Sequence, residues 1–289
     1  MIVTHKNPDL DAICSVWLLK NFGPEELSEA EVRFVNAGAT LDGKPVDKDE
    51  EVIHVDSGQG KFDHHQSAAK TSASEKVLKY LMENSYIKGG EKKRALTRMV
   101  KVVTDVDTGS EAGPADLTEY PSPADDRYAF LFNERQIISG WQRHFRGQDE
   151  KILQMGMQVL DGVYENFLSR VAAEEAIKQA VRFKTIWGRG IGAETNIFGF
   201  LGFAQMKGYK VVVSKDPKSG HVRIHASNRK GEPKIDLTGV YEVLQNKDPE
   251  ATWYLHPSRK LLLNGSKSNP EMKPTKLSLG EVIKVIENI

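Results

Sequence analysis

Two carboxylates and an imidazole fall within one short segment, His5-Lys6-Asn7-Pro8-Asp9-Leu10-Asp11. A single aspartate there would serve as a helix N-cap. Two of them beside a histidine exceed that need, because carboxylates crowded on one turn repel each other unless a cation lies between them. A second concentration begins at His54-Val55-Asp56 and reaches Asp63-His64-His65-Gln66. Adjacent histidines leave a regular strand on opposite sides, so one can ligate while its neighbour faces a substrate. His54 alternates with Val55 and reads as structural. A third segment, Val102-Val103-Thr104-Asp105-Val106-Asp107-Thr108-Gly109, supplies two more acids, and spacing alone does not choose between Asp105 and Asp107. Oxygen-rich ligation with a few imidazoles and no thiolate favours Mn²⁺ or Mg²⁺, with Co²⁺ a further choice, over structural zinc. So many ligands suit two ions that share a carboxylate, an arrangement that activates a water and clamps a phosphoryl group.

The elements that must position these groups read as an alternation of strands and helices. Apolar runs at 1–5, 51–56 and 99–106 read as strands, each ending in Asp or His. Helical spacing follows the first in AICSVWLLKNF and returns at 73–83 through Val77, Leu78 and Leu81. Such alternation indicates a parallel sheet, and open parallel sheets bind ligands beyond the carboxyl ends of their strands. Prolines and acids at 111–126 predict a linker. From about 128 to 185 the chain reads as helical, with Ile152, Met155, Val159, Leu160, Val163, Tyr164, Phe167, Leu168 and Val171 forming one stripe. Gly188, Gly190 and Gly192 interrupt that pattern, KVVVS and HVRIHAS read as strands, and LSLGEVIKVIENI as a closing amphipathic helix.

The predicted fold is therefore α/β. A doubly wound parallel sheet forms a metal-binding catalytic domain over 1–125, 126–185 is a helical connector, and 186–289 is a smaller mixed α/β domain for substrate. The active site is expected in the cleft between the two domains. Forty basic and forty acidic residues among 289 leave no net charge, but the distribution is uneven. Residues 1–125 hold 15 basic and 22 acidic side chains, net −7, and residues 203–289 hold 15 and 9, net +6. An acidic first part suits cations and a basic last part suits phosphates. No apolar run approaches about 18 residues, and no secretory leader is evident at the start, so neither a membrane partner nor secretion is expected. One cysteine, Cys14, excludes internal disulfides and Cys-based zinc sites; a cytoplasmic location is the expectation.

Taken together, His5, Asn7-Pro8-Asp9-Leu10-Asp11, Asp56 after a strand, Asp63-His64-His65 and Asp107-Thr108-Gly109 resemble the four motifs of the DHH phosphoesterase superfamily. That group includes RecJ-type nucleases, nano-RNases, cyclic-dinucleotide phosphodiesterases, exopolyphosphatases and family II inorganic pyrophosphatases. The resemblance covers roughly residues 1–110. It implies that His5 and Asp9 hold one divalent ion, that Asp11, His64 and Asp107 hold the other, and that Asp56 bridges them. Asp56 and His65 become the catalytic residues, His65 facing the substrate phosphate, and Asp63 orients a histidine from behind. Asp107 is preferred to Asp105 because Asp-Thr-Gly matches the family pattern. Residues 132–141 and 154–168, with Phe62-Asp63-His64-His65-Gln66, are similar to the melanocyte-proliferating-gene protein family, a DHH relative. The first motif is closer to the nano-RNase and pyrophosphatase form, and the last part lacks the plain Gly-Gly-His motif of the common substrate-binding domain.

On the substrate side, His256, Ser258, Arg259 and Lys260, followed by Asn264, form the best candidate grip for phosphate in the basic C-terminal region. The expected reaction is two-metal hydrolysis of phosphodiester bonds in short or single-stranded RNA or DNA, or in a nucleotide, with Mn²⁺ the first choice of ion. A pyrophosphatase or exopolyphosphatase shares that chemistry, and a non-catalytic nucleotide-binding protein shares the fold.

Overall fold

A computed structural model of the chain describes residues 1–109, 133–229, 234–266 and 268–289, which fall into two units, Met1–Leu168 and Ser169–Ile289. The linker expected at 111–126 and Phe132 lie outside the described residues.

The first unit is built on a three-stranded parallel sheet. β1 (Ile2–His5) lies in the centre, flanked by β2 (Val32–Val35) and β3 (Ile53–His54). β2 was not foreseen, since its residues VRFV are only half-buried and carry an exposed arginine, so they lack an apolar signature. α1 (Leu10–Phe22) leaves β1 through a tight turn at Asn7, whose φ of 56° is left-handed. Its residues Leu10 to Leu19 are all buried, so its apolar pattern has no solvent side. α2 (Ala73–Glu83) and α3 (Gly90–Asp107) pack against it.

α3 corrects the expected strand at 99–106. The β-branched run MVKVVTDV reads as extended, but it continues a helix that opens with the good helix formers of EKKRAL. Its buried residues, Ala95, Leu96, Met99, Val100, Val103 and Thr104, recur at steps of three and four. A strand would place Val102 beside Val100 on one face; here Val100 is buried and Val102 is 40% exposed.

The helical stretch expected from 128 to 185 is divided among the described residues into α4 (Glu134–His144) and α5 (Asp149–Gln179), separated at Gly147 with φ 79°. Residues 181–185 correct that expectation, because they are a strand. Ile152, Leu153, Leu160 and Tyr164 of α5 are buried. Gly156 meets Ile13, Trp17 donates its indole N–H to Asp161 at 2.7 Å, and the Trp17 and Tyr164 rings meet edge-on at 5.5 Å.

The second unit, in which α5 ends, holds a mixed six-stranded sheet in the order β4-β5-β6-β7-β9-β8. Its strands are β4 (Val181–Thr185), β5 (Gly188–Glu194), β6 (Val211–Lys215), β7 (Val222–Ala226), β8 (Tyr254–Leu255) and β9 (Leu261–Leu263). Only β5 and β6 run parallel; the other neighbours are antiparallel. α6 (Phe200–Met206), α7 (Thr238–Lys247) and α8 (Leu279–Glu287) complete it. The glycines at 188, 190 and 192 lie inside β5: a Cβ at Gly190 would run into the Phe183 ring on β4, and one at Gly192 into Ile283 of α8.

Candidate metal centre

His5 ends β1 and Asp56 stands two residues past the end of β3, so neighbouring parallel strands deliver an imidazole and a carboxylate at their carboxyl ends. Backbone pairing continues through Val55, and Asp56 then turns with φ 51°, a left-handed conformation that aspartate tolerates better than most residues. Its Oδ2 lies 3.3 Å from His5 Nε2 and its Oδ1 lies 3.4 Å from His64 Nε2. The other ring nitrogen of His5 donates to the Lys6 carbonyl at 2.9 Å, which leaves Nε2 of the neutral ring as an electron-pair donor.

Asp9 does what the simpler expectation for it requires, capping α1 by accepting from the backbone N–H groups of Asp11 and Ala12. The same Oδ1 stands 3.9 Å from His5 Nε2. Asp11, one residue into the helix, is buried; its two oxygens accept from Ala73 and Ser74 N–H at 2.7 and 2.9 Å, the start of α2. Asp107, in the last residue of α3, reaches His64 Nε2 at 3.4 Å. Because α3 is a helix, residues 105 and 107 diverge. Asp105 instead pairs with Lys101 one turn back, at 2.8 Å.

These side chains form three groups whose ligand atoms all lie within 4.8 Å of one another: His5 with Asp9 and Asp56, Asp11 with His64 and Asp107, and Asp56 with His64 and His65. The first two bring together the residues that the resemblance assigns to each ion, and Asp56 belongs to the first and the third.

Electrostatics follow from crowding. Burial alone would lower the His5 imidazole, but the Asp56 and Asp9 carboxylates outweigh it and raise it to about 9. The Asp56 carboxylate 3.4 Å away likewise carries His64 up to about 9. Burial, then the Asp56 charge, push Asp11 up to about 7, and burial raises Asp107. Asp56 runs the other way: although burial opposes it, the bond from His5 and the nearby His64 imidazole hold its carboxyl far below the usual range. Protons on the imidazoles thus occupy the place a cation would take. Asp56 Oδ1, His64 Nε2 and Asp107 Oδ2 are buried and none has a well-formed hydrogen bond. A buried polar atom without a partner is costly, and unpartnered atoms of this kind turned toward one another suit a divalent ion.

Asp63 and His65 stand beside the cluster. Asp63 is buried and accepts from Gln59 N–H and His65 N–H, while its Oδ1 lies 2.7 Å from His65 Nδ1. These bonds hold its carboxyl low against the opposing effect of burial. The His65 ring is pinned at Nδ1, 60% exposed, and 3.7 Å from Asp56 Oδ1. His54 accepts from Leu41 N–H inside the fold.

The residues expected to grip phosphate belong to the second unit. His256 Nδ1 meets the Ser258 hydroxyl at 2.8 Å. Arg259, with φ 58°, pairs with Asp236 at 2.9 Å, and Lys260 donates to the Asn228 side chain. Asn264 corrects the expectation. It is fully buried, donates to the Thr252 and Lys273 carbonyls and accepts from Thr275 N–H, so its amide is spent on joining three segments of the domain.

No family model matches the chain, and no curated protein matches it. Likeness is found among solved structures. One is an uncharacterized protein from Helicobacter pylori, at 11% identity and TM-score 0.27 over 100% of this chain and 99% of that one. Another is the DHH domain of a member of the s1p family of ribosomal proteins, at 12% and 0.33 over 99% and 85%. A third is RecJ from Thermus thermophilus in complex with Mn²⁺, at 12% and 0.28 over 99% of this chain and 51% of RecJ. With TM-scores this low, the likenesses decide nothing about chemistry, which rests on the side chains themselves.

Those side chains offer carboxylate and imidazole donors in two neighbouring sets. Among the described residues no helix is long and apolar enough to cross a membrane.

Proposed function

We propose that the chain is a metal-dependent phosphoesterase of the DHH type. It hydrolyses phosphodiester bonds in short or single-stranded nucleic acid with two divalent ions, Mn²⁺ first among them. The observation that carries this reading is the pair of ligand groups, His5-Asp9-Asp56 and Asp11-His64-Asp107, with both oxygens of Asp56 turned to imidazoles of the two sets. Bound there, the ions would supply a water ionised near neutral pH and positive charge for the phosphoryl oxygens. Asp56 fixes the spacing of the two sets. Asp63 holds His65 through Nδ1 and sets the tilt of its ring, whose exposed edge would face a phosphate oxygen of the substrate. We propose His256, Ser258, Arg259 and Lys260 of the second unit as phosphate-binding residues in their own right, with Arg259 paired to Asp236 when no phosphate is bound.

A substrate panel tests this: end-labelled single-stranded oligonucleotides and pyrophosphate, each with Mn²⁺ and with EDTA. Nucleotide release that depends on Mn²⁺ is expected. Full activity in excess EDTA, or free phosphate from pyrophosphate while oligonucleotides stay intact, overturns the reading.

A further inference from the structure

The first unit carries a pocket that no part of the metal centre uses. It is lined by Lys6 and Asn7 from the turn after β1, by Ser139, Gln142 and Arg143 of α4, and by Arg146, Gly147 and Asp149 at the corner leading into α5. Three cations line it. The carboxyl end of α4 accounts for one of them, since a cation is favoured at a helix C-terminus. It does not account for Arg146 beyond the helix or for Lys6 on another segment. Among the described residues, Lys6, Arg143 and Arg146 have no carboxylate within ion-pair distance; Arg143 donates to the Ser139 hydroxyl at 2.8 Å. Asp149, the acid of the pocket, accepts from Asn7 N–H at 2.9 Å. Three like charges lining one pocket repel each other, and a polyvalent anion removes that repulsion.

The pocket is also tied to the metal centre through the backbone. Lys6 and Asn7 sit between His5 and Asp9, so the turn that bears two candidate metal ligands also lines the pocket. Gln142 donates to the Asn7 and Pro8 carbonyls at 3.0 and 3.1 Å, and Asp149 holds the Asn7 N–H. The α4–α5 corner therefore fixes both the left-handed turn and the pocket beside it. Two Cα steps reach about 7 Å, so an anion held here lies close to the ligand-bearing turn.

From this we infer that the pocket is a subsite for a phosphate group of the substrate other than the one being hydrolysed, gripped by Lys6, Arg143 and Arg146. The inference rests on the phosphoesterase reading and narrows it: the preferred substrate carries a phosphate beyond the scissile bond. Such a phosphate comes from the next link of a nucleic-acid strand or from an inorganic polyphosphate chain. The strand is the better fit, because the lining also includes the neutral side chains of Asn7 and Ser139 alongside its charges, as suits a sugar or base beside the phosphate.

The test uses the full chain with Mn²⁺ and measures equilibrium binding of non-hydrolysable ligands. These are a methylenephosphonate-linked dinucleotide with and without a terminal phosphate, and a methylene-bridged triphosphate analogue. The terminal phosphate should tighten dinucleotide binding to the unaltered protein by about tenfold or more. The gain should vanish in Arg143→Gln/Arg146→Gln, shrink in Arg146→Gln alone and partly return in Arg146→Lys, while the dinucleotide without the phosphate binds all forms equally. No gain in the unaltered protein, or the same gain in the double variant, overturns the subsite. A gain that depends on the arginines only for the triphosphate analogue overturns the strand assignment. If no oligonucleotide is hydrolysed yet the arginine-dependent gain persists, the phosphoesterase reading falls and the subsite stands.

Discussion

Asp107 faces His64 at 3.4 Å from the last residue of a helix, while Asp105, two residues earlier, turns away to Lys101. On a strand, residues two apart share a face; on a helix they are about 200° apart. The helix therefore separates two acids that spacing alone left equivalent and that only the Asp-Thr-Gly resemblance distinguished. Asp107→Asn is expected to weaken Mn²⁺ binding by about tenfold or more, by analogy with loss of a direct ligand or its support. Asp105→Asn loses an i,i+4 pair with an exposed lysine, about 0.5 kcal/mol of helix stability or less, with metal affinity unchanged. Titration calorimetry with Mn²⁺ on both variants checks the contrast, and equal losses would refute it.

Asp56→Asn should remove most bound metal from both sets and lower turnover by about a hundredfold or more, because a shared carboxylate serves both ions. Asparagine accepts a left-handed backbone as readily as aspartate, so the turn at φ 51° survives and an unchanged far-UV spectrum is expected. Metal analysis after gel filtration, alongside kinetics, separates this outcome from simple unfolding.

Asp63→Asn should spare metal content and reduce kcat by about tenfold to a hundredfold, since it disturbs the bonds that hold the His65 ring and the Gln59 turn but none of the candidate ligands directly. A fall in bound Mn²⁺ would instead make Asp63 part of the metal-binding set.

His5 and His64 hold their protons to about pH 9 in the metal-free protein, against an ordinary 6.5. Their folded-state values are raised, so without metal they contribute stability that is complete below about pH 6.5 and lost as pH climbs through about 9. An ion needs the same nitrogens unprotonated. Loading at pH 7 should therefore release protons, and affinity should rise between pH 7 and 9 by about tenfold per unit for each ion that empties one imidazole. Calorimetry in two buffers of different ionisation enthalpy measures the protons released; none released would refute it.

Gly190→Ala places a methyl where the Phe183 ring lies and should cost about 1–3 kcal/mol, read as a lower thermal midpoint with metal binding intact.

Much of the site was legible because its residues are polar groups where a fold would otherwise not place them: His5, Asp9 and Asp11 on one turn, and Asp63-His64-His65 beside a short strand. The strand at 99–106 was misread because β-branched residues suit either state locally, and only the burial of Ala95 and Leu96 upstream shows the longer period. β2 escaped notice because a half-buried strand with Arg33 exposed has no apolar signature. The basic pocket was illegible for another reason: Lys6 and Arg146 are far apart in sequence, and only the tertiary fold brings them together. Asn264 looked like a free donor in a basic turn, yet its bonds reach Thr252, Lys273 and Thr275, partners no local pattern reveals.

The Asp11 carboxylate holds down the first turn of α2 and also offers an oxygen to the Asp11-His64-Asp107 set. Occupancy and integrity are thus not separate properties of this chain. A molecule that gives up its ions keeps a buried acid pushed up to about 7, and a proton taken there would weaken its bonds to the Ala73 and Ser74 N–H groups. Hydrogen exchange at those two amides would then serve as a gauge of loading, and a protease able to cut at the start of α2 would distinguish charged molecules from empty ones before any substrate is added.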